Sequence, residues 1–144
     1  MVEERIKFVW YLYIDIYCLN YDGNILDASL IAMLAALKDV KLPTVTLEDN
    51  KLISNGVLSN GGVQLLEYPI PLTFGLMDDY ILIDPTSEEE DLLASKFTII
   101  YSNLKKLSHI SKPGGVPISE DKLRICIQKT RERMDEVLHI LNSE

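Results

Sequence analysis

Residues 8–19 alternate strictly between two kinds of side chain, and this pattern constrains the fold more than any other feature of the chain. Even-numbered positions are all apolar, and odd-numbered positions form a row of tyrosines with a single acid. The even set is Phe8, Trp10, Leu12, Ile14, Ile16 and Cys18, and the odd set is Val9, Tyr11, Tyr13, Asp15, Tyr17 and Leu19. A period of two is typical of a β-strand with one face on the core. The pattern therefore predicts one long strand over 8–19.

A helix should follow this strand after a short turn. Residues 20–24 (NYDGN) have turn chemistry, because glycine and asparagine accept a positive φ angle at little cost. Residues 25–39 are apolar nearly all round, so we expect the helix there to be buried on several sides. Pro43 prevents its continuation.

The remaining chain predicts a mostly antiparallel sheet covered by a last helix. Strands are expected near 44–47, 51–54, 63–68, 72–77 and 80–83, and a hairpin over 94–102 and 105–111. Pro69 and Pro71 should place their segment at an edge or a bulge. A helix over 119–142 carries an apolar stripe that should pack on the sheet, namely residues 123, 126, 127, 130, 134, 137, 138 and 141. The fold class is therefore α+β.

Size, charge and cysteine content limit the function. A chain of 144 residues allows one domain or two small lobes, and its net charge of −8 argues against a broad basic face that grips nucleic acid. Acids at the N-terminus and the lack of a long apolar run predict an intracellular protein that makes no membrane contact. Cys18 and Cys126 should be buried thiols rather than a disulfide.

No local motif predicts an active site. His109 and His139 stand alone, which disfavours zinc, and the glycine pairs at 61–62 and 114–115 lack the spacing of a phosphate-binding fingerprint. The turn at 22–24 precedes a helix but has no adjacent cation, so it predicts a plain turn. Asp84 and residues 88–91 (EEED) could hold magnesium, but an acidic run is more often a solvated loop or a helix start.

Four segments taken together resemble the ribonuclease PH-like family, and most closely the RNA exosome ring subunits that lack activity. They are residues 10–29 (WYLYIDIYCLNYDGNILDAS), 35–43 (AALKDVKLP), 83–90 (IDPTSEEE) and 112–115 (KPGG). The resemblance corresponds to the C-terminal half of such a subunit. It implies a βα remnant of the ribosomal protein S5 domain 2-like type over 1–43, completing a first lobe. The second lobe, over 44–144, would be an antiparallel sheet with a packed C-terminal helix.

The same resemblance implies that the catalytic positions are degenerate. Active members degrade RNA from the 3′ end with inorganic phosphate, which they hold with a Gly-Thr/Ser-Arg element. That element falls on residues 24–26 here, so that Leu26 replaces the arginine. The two aspartates of active members fall on Glu90 and Lys96, and Lys96 reverses the charge. We therefore expect no catalytic residues, cofactor or metal. An active phosphate-dependent 3′→5′ exoribonuclease with a divergent site is the alternative.

The resemblance also implies partners and a location. Related ring subunits would be neighbours, RNA would pass through the assembled complex, and the protein would lie in the nucleus and nucleolus and also in the cytoplasm. Ring-related contacts are expected at Tyr11, Tyr13, Asp15, Asp22, Gly23 and Asn24. This chain by itself should self-associate through 8–19 or the following helix, because half a subunit leaves strand edge and apolar surface uncovered. An assembly module without RNA contact remains a third possibility.

Overall fold

The computed structural model describes residues 8–49 and 51–143, apart from the side chains of 60–62. Three helices and six strands are formed in this part of the chain. In chain order they are α1 (Ile25–Asp39), β1 (Lys41–Glu48), β2 (Lys51–Gly62), β3 (Pro69–Met77), β4 (Tyr80–Ile83), α2 (Ser87–Leu92), β5 (Ser95–Ser102), β6 (Lys106–Ser111) and α3 (Glu120–Leu141). β1 and β2 form a separate hairpin, and the other strands form one antiparallel sheet in the order β4-β3-β5-β6. The predicted α+β class and antiparallel sheet are confirmed.

The core lies between the sheet and α3. Phe74 of β3 pairs with Phe97 of β5, and their rings stack with centroids 5.3 Å apart. Cys126 packs against this pair from α3, and its pKa is raised to about 11 by burial. A second cluster joins α1, both central strands and α3, and it contains Leu34, Ile70, Tyr101, Met134 and Val137. The apolar stripe of the last helix therefore faces the sheet, as its spacing predicts.

Residues 8–19 form neither a strand nor a helix, which corrects the strand predicted there. Side chains of both alternating sets are exposed, including Trp10 and Tyr13. Cys18 is exposed as well, so the prediction of two buried thiols is wrong for this one. A strand needs a hydrogen-bonded neighbour, and the described residues supply none to this segment.

Helix α1 begins and ends where the sequence predicts, but it is not buried on several sides. Asp27 and Leu34 are its buried residues. Leu34 packs into the second core cluster, whereas Ile25 and Leu26 are exposed near the N-terminus. Within the described residues, α1 therefore has packing partners on one side only.

One further strand prediction needs correction, and another is confirmed. Residues 63–68 form no strand, and at the end of this segment Tyr68 exchanges hydrogen bonds with Asn103, whose side-chain Oδ1 accepts from the Tyr68 N–H at 2.8 Å. The proline segment lies at an edge of the sheet, as predicted. β3 pairs with β5 along its whole length, but β4 covers only Phe74–Met77 and leaves Pro69 and Pro71 without a strand on that side. The predicted lobe boundary at residue 43 stays a prediction.

Candidate functional site

The turn before α1 brings the helix N-terminus against the loop that follows β4. Gly23 has a φ of 82°, and a Cβ atom there would lie 2.3 Å from the carbonyl oxygen of Pro85. Glycine is therefore required by both its conformation and the close approach. Asp22 accepts hydrogen bonds from the backbone N–H and the hydroxyl of Ser87, at 3.3 and 3.0 Å. These contacts fix the turn on the start of α2.

Asp27 connects α1 to the open side of β3. Its two carboxylate oxygens accept the Thr73 N–H at 2.8 Å and the Thr73 hydroxyl at 2.7 Å. Hydrogen-bonding direction alternates along a strand, so the nitrogens of Pro69, Pro71 and Thr73 all face this side. The two prolines have no N–H to satisfy, and Asp27 takes the one that remains. The carboxylate thus replaces a neighbouring strand.

Asn24 links Asp27 to the loop after β4. Its side-chain Nδ2 donates to Asp27 at 3.0 Å and to Asp84 at 2.5 Å. Asn24 itself has a φ of 40°, a left-handed conformation that asparagine adopts more readily than most residues. The turn predicted at 22–24 is therefore held in place by side-chain hydrogen bonds that connect three elements.

Glu90 of α2 lies beside the N-terminus of α1. Its carboxylate accepts the Asn24 N–H at 2.9 Å, the Lys96 ammonium at 2.7 Å and the Tyr21 hydroxyl at 3.4 Å. The Glu90 side chain is 12% exposed. Burial raises its pKa, but the hydrogen bonds from Lys96, Asn24 and Tyr21 and the Lys96 charge outweigh burial and hold the pKa below the ordinary value. Glu90 is therefore a charged group tied to three donors.

The predicted degenerate positions Leu26, Glu90 and Lys96 line one small cavity of about 150 Å³. Eleven residues form its walls: Tyr21, Asn24, Ile25, Leu26, Thr73, Glu90, Lys96, Phe97, Thr98, Ser111 and Pro113. The structure thus brings together residues that are far apart in the sequence. Tyr21, Thr98 and Ser111 are missed by sequence reasoning, because a lone hydroxyl carries no spacing signal. The functional roles assigned to the three predicted positions stay predictions.

The other predicted contact residues divide into two groups. Asp22, Gly23 and Asn24 form the turn at the cavity, whereas Tyr11, Tyr13 and Asp15 are exposed on the segment before it. Their assignment to contacts between subunits also stays a prediction.

The acidic run splits rather than forming one cluster. Thr86 begins α2 with a capping box in which Thr86 and Glu89 exchange side-chain-to-backbone hydrogen bonds. The Asp84 carboxylate accepts a hydrogen bond from Asn24, whereas Glu90 lines the cavity. Across the described residues, no three side chains of the ligating types are grouped to hold a metal ion.

The cavity has a balanced set of charges. One carboxylate pairs with one ammonium, and Leu26 and Ile25 contribute apolar surface to the wall. In this arrangement the Lys96 ammonium and the Asn24 N–H already donate hydrogen bonds to Glu90.

Comparison with known proteins identifies the family. Residues 67–133 match domain 2 of the 3′ exoribonuclease family, and residues 1–43 match domain 1 of the same family. Together these ranges take in most of the chain. The chain belongs to this family of ribonuclease PH-like proteins, as the resemblance implies.

Individual relatives are components of exosomes. The chain is 40% identical over 129 residues to exosome complex component rrp43 of Schizosaccharomyces pombe, covering 88% of this chain and 47% of that protein. It is similar to a structure of an archaeal exosome core, with a TM-score of 0.63, 27% identity and coverage of 83% and 47% of the two chains. It also resembles the Archaeoglobus fulgidus exosome with RNA bound to the active site, with a TM-score of 0.58, 28% identity and coverage of 80% and 45%. The chain spans about half the length of the relatives it matches.

Within the described residues, no helix has both the length and the apolar character that crossing a bilayer requires.

Proposed function

We propose that this chain is part of a non-catalytic, structural subunit of the RNA exosome core. The subunit supports 3′→5′ RNA processing and degradation, including rRNA processing and mRNA turnover. Family membership and the likeness to exosome components favour the exosome role. The observation that supports the absence of catalysis is the ion pair between Lys96 and Glu90. The Glu90 carboxylate of this pair also accepts a hydrogen bond from the backbone N–H of Asn24.

Phosphorolysis needs a bound phosphate that is paired with positive charge beside the scissile bond. At the cavity, the Lys96 charge is neutralised by Glu90, and Leu26 offers no charge. The Asn24 N–H is also already bonded to a carboxylate. An entering phosphate would lack a free cation and meet a negative group, so it would not be held.

The partners follow from the same proposal. Other ribonuclease PH-like subunits form a ring with this one, and RNA passes through the assembled complex. The proposed location is the nucleus and nucleolus, and also the cytoplasm. Within the family, the motif at 112–115 (KPGG) favours exosome component 8 over components 7 and 9.

A degradation assay tests the absence of catalysis. The purified full-length subunit is incubated with single-stranded RNA and inorganic phosphate, and nucleoside diphosphates are measured. We expect none to be released. Release that is abolished by Glu90→Gln but kept in Glu88→Gln, a matched change on the same helix, would make the protein an enzyme.

Co-purification tests the structural role separately. Full-length protein isolated from its own cells should bring down related ring subunits in equal amounts. Recovery without any such subunit would refute the exosome assignment.

A further inference from the structure

The β1–β2 hairpin contains a bulge with an Asn-Gly pair in it. In the register of the two strands, the single residue Thr44 of β1 lies opposite three residues of β2, 55–57. Asn55 and Gly56 are both exposed, and Gly56 has a φ of 72°. The Gly56 N–H donates to a side chain, the hydroxyl of Ser54, at 3.2 Å. A bulge interrupts the regular ladder of a strand pair, so the Asn-Gly pair lies at an irregular and accessible place in the hairpin.

An Asn-Gly pair is capable of an intramolecular reaction. The backbone nitrogen of the glycine attacks the side-chain carbonyl carbon of the asparagine, and the absence of a Cβ on glycine permits this approach. A C–N bond forms, the bond from Cγ to Nδ2 breaks, and the amide group leaves as ammonia with the proton of the glycine N–H. The succinimide ring then takes up water and opens to aspartate or isoaspartate. Negative charge develops on the asparagine Oδ1 during the attack.

The bulge places two hydrogen-bond donors on that oxygen. The Thr44 hydroxyl donates to Asn55 Oδ1 at 2.5 Å, and the Val57 N–H donates to it at 3.0 Å. The Thr44 oxygen also lies 3.0 Å from the Val57 carbonyl oxygen, but a hydroxyl has one proton and the contact with Asn55 is the shorter. Donors that are already aimed at an oxygen on which negative charge develops lower the barrier to the reaction.

We propose that Asn55 is a site of spontaneous deamidation, and that the Thr44 hydroxyl accelerates the reaction by stabilising the negative charge on Asn55 Oδ1. Each event replaces a neutral amide with a carboxylate. The isoaspartate product also adds one carbon atom to the backbone of β2. The hairpin therefore has a chemical modification site that is separate from the cavity and independent of the exosome role.

Peptide mass spectrometry tests the proposal. The folded 144-residue chain and its variants are incubated in neutral buffer, and the converted fraction of Asn55 is measured at intervals. We expect conversion in the unaltered chain and its loss in Gly56→Ala, where a Cβ hinders the attack. Thr44→Val should react at least about threefold more slowly, a factor that one net hydrogen bond can supply. Thr44→Ser keeps the hydroxyl and should keep the rate.

Thr46→Val is the matched control, because Thr46 lies on the same strand and its hydroxyl donates to the Ile53 carbonyl, at 3.5 Å. It should leave the rate at Asn55 unchanged. Fragment spectra separate Asn55 from a second Asn-Gly pair in the sequence, residues 60–61, whose rate should not respond to Thr44→Val.

Unfolding in urea separates the effect of the bulge from that of the dipeptide. The unaltered chain should react faster folded than in urea, and in urea Thr44→Val should react at the same rate as the unaltered chain. No conversion of Asn55 in the folded chain, or equal rates for folded Thr44→Val and the unaltered chain, would overturn the proposal. The comparison of the unaltered chain with and without urea keeps it testable if Thr44→Val does not fold.

Discussion

The Asp27 carboxylate accepts two hydrogen bonds from Thr73, one from the Thr73 backbone N–H and one from the Thr73 hydroxyl. Asp27 is 8% exposed, and its carboxylate joins the first turn of α1 to the middle of β3. Asn24 and Leu26 line the cavity and lie beside Asp27 in the chain, so this contact holds that wall of the cavity against β3.

Asp27→Ala should therefore destabilise the fold substantially. It leaves the Thr73 N–H without an acceptor, and each buried unsatisfied group costs about 1–3 kcal/mol. It also removes one hydrogen bond each from the Thr73 hydroxyl and the Asn24 amide, which keep Thr98 and Asp84 as partners. We expect a loss of about 3 kcal/mol or more in the free energy of unfolding, measured with urea. Asp39→Ala, at an exposed acid near the end of the same helix, should change it by less than about 0.5 kcal/mol. Equal effects of the two changes would contradict the role of Asp27.

Met134→Asp should unfold the sheet–helix core. Met134 is buried in the second cluster, where a carboxylate would have no partner and would cost several kcal/mol. Circular dichroism and thermal unfolding measure the effect. Ile125→Asp is the control, because Ile125 lies on the exposed side of the same helix. A Met134→Asp chain as stable as the control would mean that the assigned face is wrong.

The isolated chain should self-associate through residues 8–19. This segment exposes a run of apolar and aromatic side chains, and large exposed apolar patches mark contact surfaces. Sedimentation velocity over a range of concentrations should show association, and Ile14→Asp should weaken it. Leu92→Asp, a change at an exposed leucine on α2, should leave the association unchanged. A monomer at every concentration would refute this prediction.

The Glu90–Lys96 pair should contribute stability that depends on pH. Because the folded pKa of Glu90 lies below the unfolded value, its contribution is full above the unfolded pKa. That contribution is lost as the pH falls through the folded pKa. Lys96→Met removes the strongest of the interactions that lower the pKa, so it should raise the pKa of Glu90 in an NMR titration. A pKa that is unchanged in Lys96→Met would show that the ion pair does not set it.

The sequence by itself determined the elements whose pattern is local. The spacing of apolar residues in α3 and the bounds of α1 depend on periodicity and turn chemistry, and these are properties of neighbouring residues. The family resemblance located Leu26, Glu90 and Lys96 as positions of interest, although their roles stay predictions.

Tertiary structure decided what depends on partners distant in the chain. The alternation of 8–19 predicts a strand, but a strand forms only where another one offers hydrogen bonds, and the described residues offer none there. Pro69 and Pro71 lie at an open edge of the sheet, as the sequence predicts, but the packing of α1 on β3 decided that Asp27 covers the Thr73 N–H beside them. The contact of Glu90 with Asn24 joins residues 66 positions apart, and no local pattern encodes such a distance. Its cause is the packing of α2 against the turn at Gly23, which only the folded chain brings about.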